Sequence, residues 1–309
     1  MRKIAVLIPC YNEAPTIAQV IRAYRKVVPH ARIYVYDNNS TDQTAEIAKK
    51  AGAIVRSEPQ QGKANVIRSM FSSIEADCYI MVDGDDTYGA DNIPRMLDLV
   101  LNKNYDMVIG DRLSSTYFAE NKKISHNFGN ILVRKLVNFL FHGQVSDIMT
   151  GQRVLSYRFV KSFPILSKGF EVETEMTIHA LDRNFPIASV PVIYKNRPAG
   201  SHSKLNTYSD GFKVIITIFR LWKDYKPFVF FSCLAGFFFL IAACLFFPVL
   251  LNYSKTGLVA KFPSLIVAMS CLVMSVQLVA CGLILDIETR KNKQLHELIA
   301  NLFKKNKSD

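Results

Sequence analysis

Residues 78–86 read Cys-Tyr-Ile-Met-Val-Asp-Gly-Asp-Asp, a β-rich run that stops in three carboxylates within four positions. It predicts a strand over residues 78–83 whose carboxyl end carries charge. Similar runs flank it at residues 3–8, 33–37, 53–56 and 107–110. Between them the spacing turns helical. Pro15 opens a segment with Ile17, Val20, Ile21 and Tyr24 on one face, Thr41-Asp42 precedes one through Thr44–Lys50, and Gly62 leads into one ending near Ser73. Strand-helix alternation predicts an α/β domain with a mainly parallel sheet covered on both faces. Ligands of such sheets gather beyond the carboxyl ends of the strands, and the polar residues of this chain cluster there.

Three crowded carboxylates repel one another unless a cation or hydrogen-bond donors compensate. Mg²⁺ or Mn²⁺ accepts one or two carboxylates and completes its shell with diphosphate oxygens and water, which makes Asp83 and Asp85 candidate metal ligands. An Asp-rich turn ahead of Tyr88 is the bland alternative. Asp37 closes the second predicted strand, where its carboxylate can accept from a base N–H or a ribose hydroxyl; Thr41 or Asp42 serves as the next helix cap. Cations recur downstream as Arg112 in GDR, Arg153 in TGQR, Arg197 in NRPAG and Lys204 in SHSKL. Singly each is an ordinary surface residue, but their attachment to Gly and Ser favours close approach to an anion.

The chain has 309 residues, 50% of them hydrophobic, with 38 Lys+Arg against 26 Asp+Glu and a net charge of +12. That much apolar material excludes a disordered chain. A nucleic-acid binder fails on distribution, since Lys and Arg gather beside two uncharged stretches and no binding motif appears. One stretch lies between Lys226 and Lys255, the other between Lys261 and Asp286. Each exceeds the roughly 20 residues needed to cross a bilayer, predicting transmembrane helices near 228–251 and 262–285. Lys213, Arg220, Lys223 and Lys226 precede them and Arg290, Lys291, Lys293, Lys304, Lys305 and Lys307 follow, while the loop offers only Lys255 and Lys261. Both the N-terminal region and the tail are therefore expected in the cytosol.

Residues 206–226 form an amphipathic segment with Trp222, expected at the membrane interface or packed on the domain. Residues 127–141 are equally divided between a membrane-surface and a core helix. The division expected is 1–205 as the α/β domain, 206–226 as the juxtamembrane helix, 227–286 as the spans and 287–309 as a basic tail. Residues 4–8 are too short for a signal-peptide core and read as a first strand. The six cysteines lack metal or disulfide spacing.

Taken in order, PCYNE, DNNSTDQT, QGK, DGDD, GDR, DIMTGQR and GSHSKL resemble glycosyltransferase family 2. More narrowly, the set is similar to the polyprenyl-phosphate glycosyltransferases, relatives of dolichyl-phosphate-mannose synthase with two membrane spans. The resemblance covers nearly the whole chain. It implies a GT-A fold and inverting transfer of a hexose or N-acetylhexosamine to polyprenyl (undecaprenyl) phosphate in the inner membrane, for cell-envelope glycan modification. The donor implied is a nucleotide sugar, UDP-linked ahead of GDP-mannose, with Mg²⁺ or Mn²⁺ as cofactor.

By that likeness Pro9, Tyr11, Glu13, Asp37, Lys63 and Asp83 hold the nucleotide, and Asp85 is the main metal ligand. Arg112 and Arg153 sit at the phosphates, and Arg197, Ser203 and Lys204 serve the acceptor or donor phosphate. Asp147, Glu173 and Glu175 orient groups nearby or, equally, pair with Arg and close helix ends. A phosphate acceptor is largely dianionic at neutral pH, so no strong general base is required. Relatives often read Asp-Ala-Asp with Gln or His two residues on, where this chain has Gly84 and Thr87, leaving the second protein ligand of the metal open. Gly110-Asp111-Arg112 and Gly151-Gln152-Arg153 depart similarly. The alternatives are transfer to a diacylglycerol lipid or growing glycan, or a non-catalytic nucleotide-binding membrane scaffold; homo-oligomerisation stays open.

Overall fold

The computed structural model describes residues 2–114, 124–197, 207–259 and 261–305. Residues 1–218 and 219–309 form two units.

The first unit is built on a seven-stranded sheet in the order β3-β2-β1-β4-β6-β5-β7. The strands are β1 (Ile4–Cys10), β2 (Arg32–Asp37), β3 (Ile54–Ser57), β4 (Cys78–Met81), β5 (Met107–Asp111), β6 (Arg153–Ser156) and β7 (Ile187–Pro191). β3, β2, β1 and β4 run parallel, β6 is antiparallel to both β4 and β5, and β7 is parallel to β5. The expected α/β fold with a mostly parallel sheet is therefore present. The antiparallel β6, inserted between two strands that follow one another in sequence, is a feature the sequence reading lacks.

Helices α1 (Ile17–Val27), α2 (Thr44–Lys50), α3 (Lys63–Ser73) and α4 (Ile93–Leu101) cross over between the first strands. α1 buries Ile17, Val20, Ile21 and Tyr24, the face its spacing predicts. They join Val6, Ile8, Ile33, Val35 and Ile80 in one core, and each such aliphatic side chain contributes about 1.5–3 kcal/mol on burial. Further along come α5 (Ile124–Phe141), α6 (Tyr157–Ser162) and α7 (Val172–Asp182). α5 buries Val133, Val137 and Phe141 but leaves Phe139 78% exposed, so one of its faces belongs to the core. α8 (Thr207–Tyr225) buries Val214, Ile218 and Leu221 and exposes Phe212, Ile216 and Phe219.

The second unit contains α9 (Pro227–Thr256) and α10 (Phe262–Lys305). α9 ends where Gly257 enters the left-handed region at φ 70°, its N–H donating to the Tyr253 carbonyl, a common helix stop. Ala235, Ala242 and Val249 are buried on α9, Ala268 and Ser275 on α10. A side chain at Gly282 would meet Phe231 at 3.0 Å. These positions recur every seven residues, the spacing of two helices wound closely together, and all but Val249 are small. Most large residues, among them Phe237, Phe247, Val276 and Ile284, are exposed. Both helices are long and apolar enough to cross a membrane, and α10 runs on to Lys305.

One backbone position controls how α3 enters the sheet. Gly62 has φ 131°, and a Cβ there would lie 2.2 Å from the Lys168 carbonyl oxygen. Its N–H donates to Asn38 Oδ1 at 2.7 Å. Gly62→Ala is expected to destabilise the first unit by about 3 kcal/mol, read as a fall of roughly 6–10 °C in Tm. An unchanged melting curve would contradict this.

Candidate active site

The parallel strands deliver their ends to one rim of the sheet. Cys10 pairs with Asp37 and Leu7 with Met81, so β4 leaves the ladder earlier than its neighbours. The Val82 amide still donates to the Leu7 carbonyl, after which Asp83-Gly84-Asp85 turns across the β1–α1 loop. Thr16 Oγ1 donates to the Gly84 carbonyl at 2.7 Å, fastening that turn. A Cβ on residue 84 would sit 2.8 Å from Cys10 Sγ, which gives a physical reason for Gly where relatives carry Ala. Asp42 accepts from the amides of Thr44 and Ala14, joining α2 to the same loop.

Beyond these ends opens a cavity of about 590 Å³. Of the residues singled out from sequence, Pro9, Tyr11, Glu13, Lys63, Asp83, Asp85, Arg112 and Arg197 line it together. Asn38, Tyr88, Phe170, Glu173 and Tyr194 line it too. Of these, the sequence marks Glu173 only as an orienting or Arg-pairing carboxylate, and it assigns no role to the others. Tyr88 stands two residues after the acidic run, the one local signal available for it.

Charge within the cavity is closely paired. Lys63 Nζ lies 2.5 Å from Asp83 Oδ1 and 2.6 Å from Glu173 Oε1. Burial works to lower its pKa, but Asp83 and Glu173 outweigh that, and the ammonium is held above the usual lysine range. Arg112 grips Asp147 through Nε at 2.8 Å and Nη2 at 3.0 Å. Burial likewise opposes its charge, and Asp147 more than restores it. The Arg112 guanidinium lies 5.6 Å from the centre of the Tyr194 ring, which packs edge-on against Tyr88. The Tyr88 hydroxyl accepts from the Gly151 amide at 2.9 Å, and burial above all keeps it protonated. At the acidic turn, burial raises the Asp86 carboxyl, opposed by Lys195 and reinforced by Asp85.

Asp85 is 4% exposed. Its Oδ1 accepts from Thr87 Oγ1 at 2.7 Å, and its Oδ2 meets Arg197 Nη2 at 2.5 Å. Thr87 therefore orients Asp85. Among the described residues no group of three or more His, Cys, Asp or Glu is arranged to hold a metal alone. Two carboxylates one residue apart, facing an open cavity, fit a hard divalent ion that draws its other ligands from phosphate and water. Asp85 and Asp83 are the residues that would hold it.

Four expected site residues lie outside the lining. Asp37 ends β2 with Oδ2 on the Ser40 amide; its buried Oδ1 has no partner among the described residues. Asp147 backs Arg112. Glu175 accepts from the amides of Leu166 and Ser167, so it holds the loop before α7. Arg153 was expected at the phosphates. Instead it is fully buried, donating to the carbonyls of Ile148, Thr150 and Glu173 and to Thr177 Oγ1. Burial pushes its pKa down to about 10, against Glu173 and Asp147. It shapes the 148–151 loop from behind. Ser203 and Lys204 lie outside the described residues.

Residues 5–163 match the family described as Glycosyl transferase family 2. The chain is 35% identical over 231 residues to the glycosyltransferase AglJ of Haloferax volcanii, covering 74% of this chain and 75% of that protein. It is 30% identical over 208 residues to a dolichyl-phosphate hexose transferase of the same organism, covering 67% and 89%. Glucosyl-3-phosphoglycerate synthase from Mycobacterium tuberculosis, solved with Mn²⁺, UDP and phosphoglyceric acid, shares the fold with TM-score 0.58 at 23% identity, covering 72% of this chain and 78% of that one. The chain is a glycosyltransferase with a GT-A fold and belongs to glycosyltransferase family 2.

Proposed function

We propose that the enzyme is membrane-anchored and transfers a hexose or N-acetylhexosamine from a nucleotide sugar to a polyprenyl phosphate, with inversion. The observation that carries this is the combination, in one chain, of a phosphate-suited cavity with a hairpin of uncovered apolar helices. The dolichyl-phosphate hexose transferase likeness supports a lipid-phosphate acceptor. UDP-sugars are the donors favoured. The membrane is the inner one, with the catalytic unit and the tail in the cytosol, as the flanking Lys and Arg favour, and the product is a lipid-linked sugar for cell-envelope glycans.

In this reading Pro9, Tyr11, Glu13 and Lys63 surround the nucleotide, and the unpartnered Asp37 Oδ1 supplies an acceptor one residue behind the lining. Bound Mg²⁺ or Mn²⁺ would neutralise the leaving diphosphate. Thr87 holds Asp85 in position for that ion. Arg112, fixed by Asp147 and Tyr194, presents charge to a phosphate without having to order itself on binding. The acceptor phosphate brings its own nucleophilic oxygen, so the carboxylates orient groups and need not take a proton. Ser203 and Lys204 are assigned to phosphate at the membrane side.

The test incubates the full-length protein in detergent micelles or vesicles with undecaprenyl phosphate, a panel of UDP- and GDP-sugars, and Mg²⁺ or Mn²⁺. A sugar-labelled polyprenyl phosphate is the expected product; labelling of diacylglycerol alone would overturn the acceptor assignment. In the same assay Asp85→Ala should lower transfer at least about a hundredfold, and near-normal turnover would sink its role at the metal.

Lys63→Met leaves Asp83 and Glu173 facing each other and should cost about 3–5 kcal/mol in stability. Because the folded-state pKa of Lys63 is raised, its contribution is complete below the ordinary lysine value and fades only as pH climbs through the raised one. Thermal melts between about pH 6 and 9 should therefore show a constant difference. A difference that shrinks within that window would refute the pairing.

A further inference from the structure

Asp85 is buried, and an anion in such a place needs a cationic partner. The cation on Asp85 Oδ2 is Arg197 Nη2, at 2.5 Å. Oδ1 is already engaged by the hydroxyl and amide of Thr87. The other described cations lining the cavity face anions of their own: Lys63 lies on Asp83 and Glu173, Arg112 on Asp147, and Lys195 acts on Asp86. A divalent ion binding Asp85 through Oδ2 therefore competes with the Arg197 guanidinium for that oxygen. Two cations at hydrogen-bond distance from the same oxygen also repel one another.

We propose that Arg197 is a placeholder cation: it neutralises Asp85 when no divalent ion is bound, and the ion and the guanidinium occupy Asp85 Oδ2 in exclusion of each other. The inference rests on the reading of Asp85 as a metal ligand and adds the competitor. Its consequence reaches into the acceptor side. Arg197 stands directly ahead of Gly200, Ser203 and Lys204 in the chain, the stretch assigned to phosphate. Loading the ion releases a guanidinium in a cavity about to receive phosphate oxygens that match its paired N–H groups. Metal binding and readiness for a phosphate thus become one exchange.

The test measures Mn²⁺ binding to full-length protein in detergent, without nucleotide, by electron paramagnetic resonance of the free ion. If the pair holds Asp85 about nine-tenths of the time, Arg197→Gln should lower the Mn²⁺ Kd about tenfold. A second measurement uses wild type alone: arginine modification by phenylglyoxal, read by peptide mass spectrometry, should be faster at Arg197 with Mn²⁺ present. A Kd for R197Q within about twofold of wild type, or an Arg197 modification rate that ignores Mn²⁺, overturns the exchange. Asp85→Asn separates the two levels. If it abolishes Mn²⁺ binding while R197Q changes nothing, the metal reading stands and the placeholder falls. If D85N binds Mn²⁺ as wild type does, the metal reading itself is wrong and the inference goes with it.

Discussion

One ammonium group makes the cavity tenable. Lys63 Nζ bridges Asp83, in the turn after β4, and Glu173, in the first turn of α7. Lys63 is itself the first residue of α3, so three elements distant in sequence converge on a single charge. Without it two carboxylates would line one wall of a pocket meant for anions, and each would raise the pKa of the other. The Gly62 conformation makes the convergence feasible, because the chain must reverse into α3 against the Lys168 carbonyl. Backbone geometry and charge balance are thus settled at adjacent residues.

Much of this was legible in the sequence, for reasons that differ by element. The α1 face of Ile17, Val20, Ile21 and Tyr24 was readable because hydrophobic spacing is local. The acidic turn after β4 was readable because crowded carboxylates demand compensation wherever they occur. Arg153 shows where local reading stops. A guanidinium beside Gly looks like an anion grip, yet its partners are carbonyls of Ile148 and Thr150 on one side and of Glu173 on the other. Nothing in TGQR announces that β6 enters the sheet antiparallel and carries the side chain inward. Tyr88 and Tyr194 escaped for a similar reason, since they meet through an isolated antiparallel bridge.

The departures from the family pattern also acquire causes from neighbours. Gly84 lies against Cys10 Sγ, so a side chain at residue 84 would require that thiol to shift. Gln152 donates to the Tyr24 hydroxyl and the Gly89 carbonyl, which makes it a strut between α1 and the segment after the acidic turn. Thr87, a weak ligand in its own right, acts by orienting Asp85. These residues change how the cavity is supported more than what it displays.

The seven-residue repeat of small residues in the hairpin has a consequence for its assembly. A pattern that repeats is nearly indifferent to sliding by one repeat, about 10.5 Å along a helix, because small residues would again meet small residues. In a bilayer, lipid would offer little to tell the two alignments apart. What distinguishes them is the hydrogen bond from Ser275 Oγ to the Ala235 carbonyl at 2.9 Å and the brevity of the connection after Gly257. The loop adds to this: only residues 257–261 link the two helices, and a slipped pair would have to draw them out towards full extension. That hydrogen bond and a stretched connection thereby favour one of several otherwise equivalent alignments.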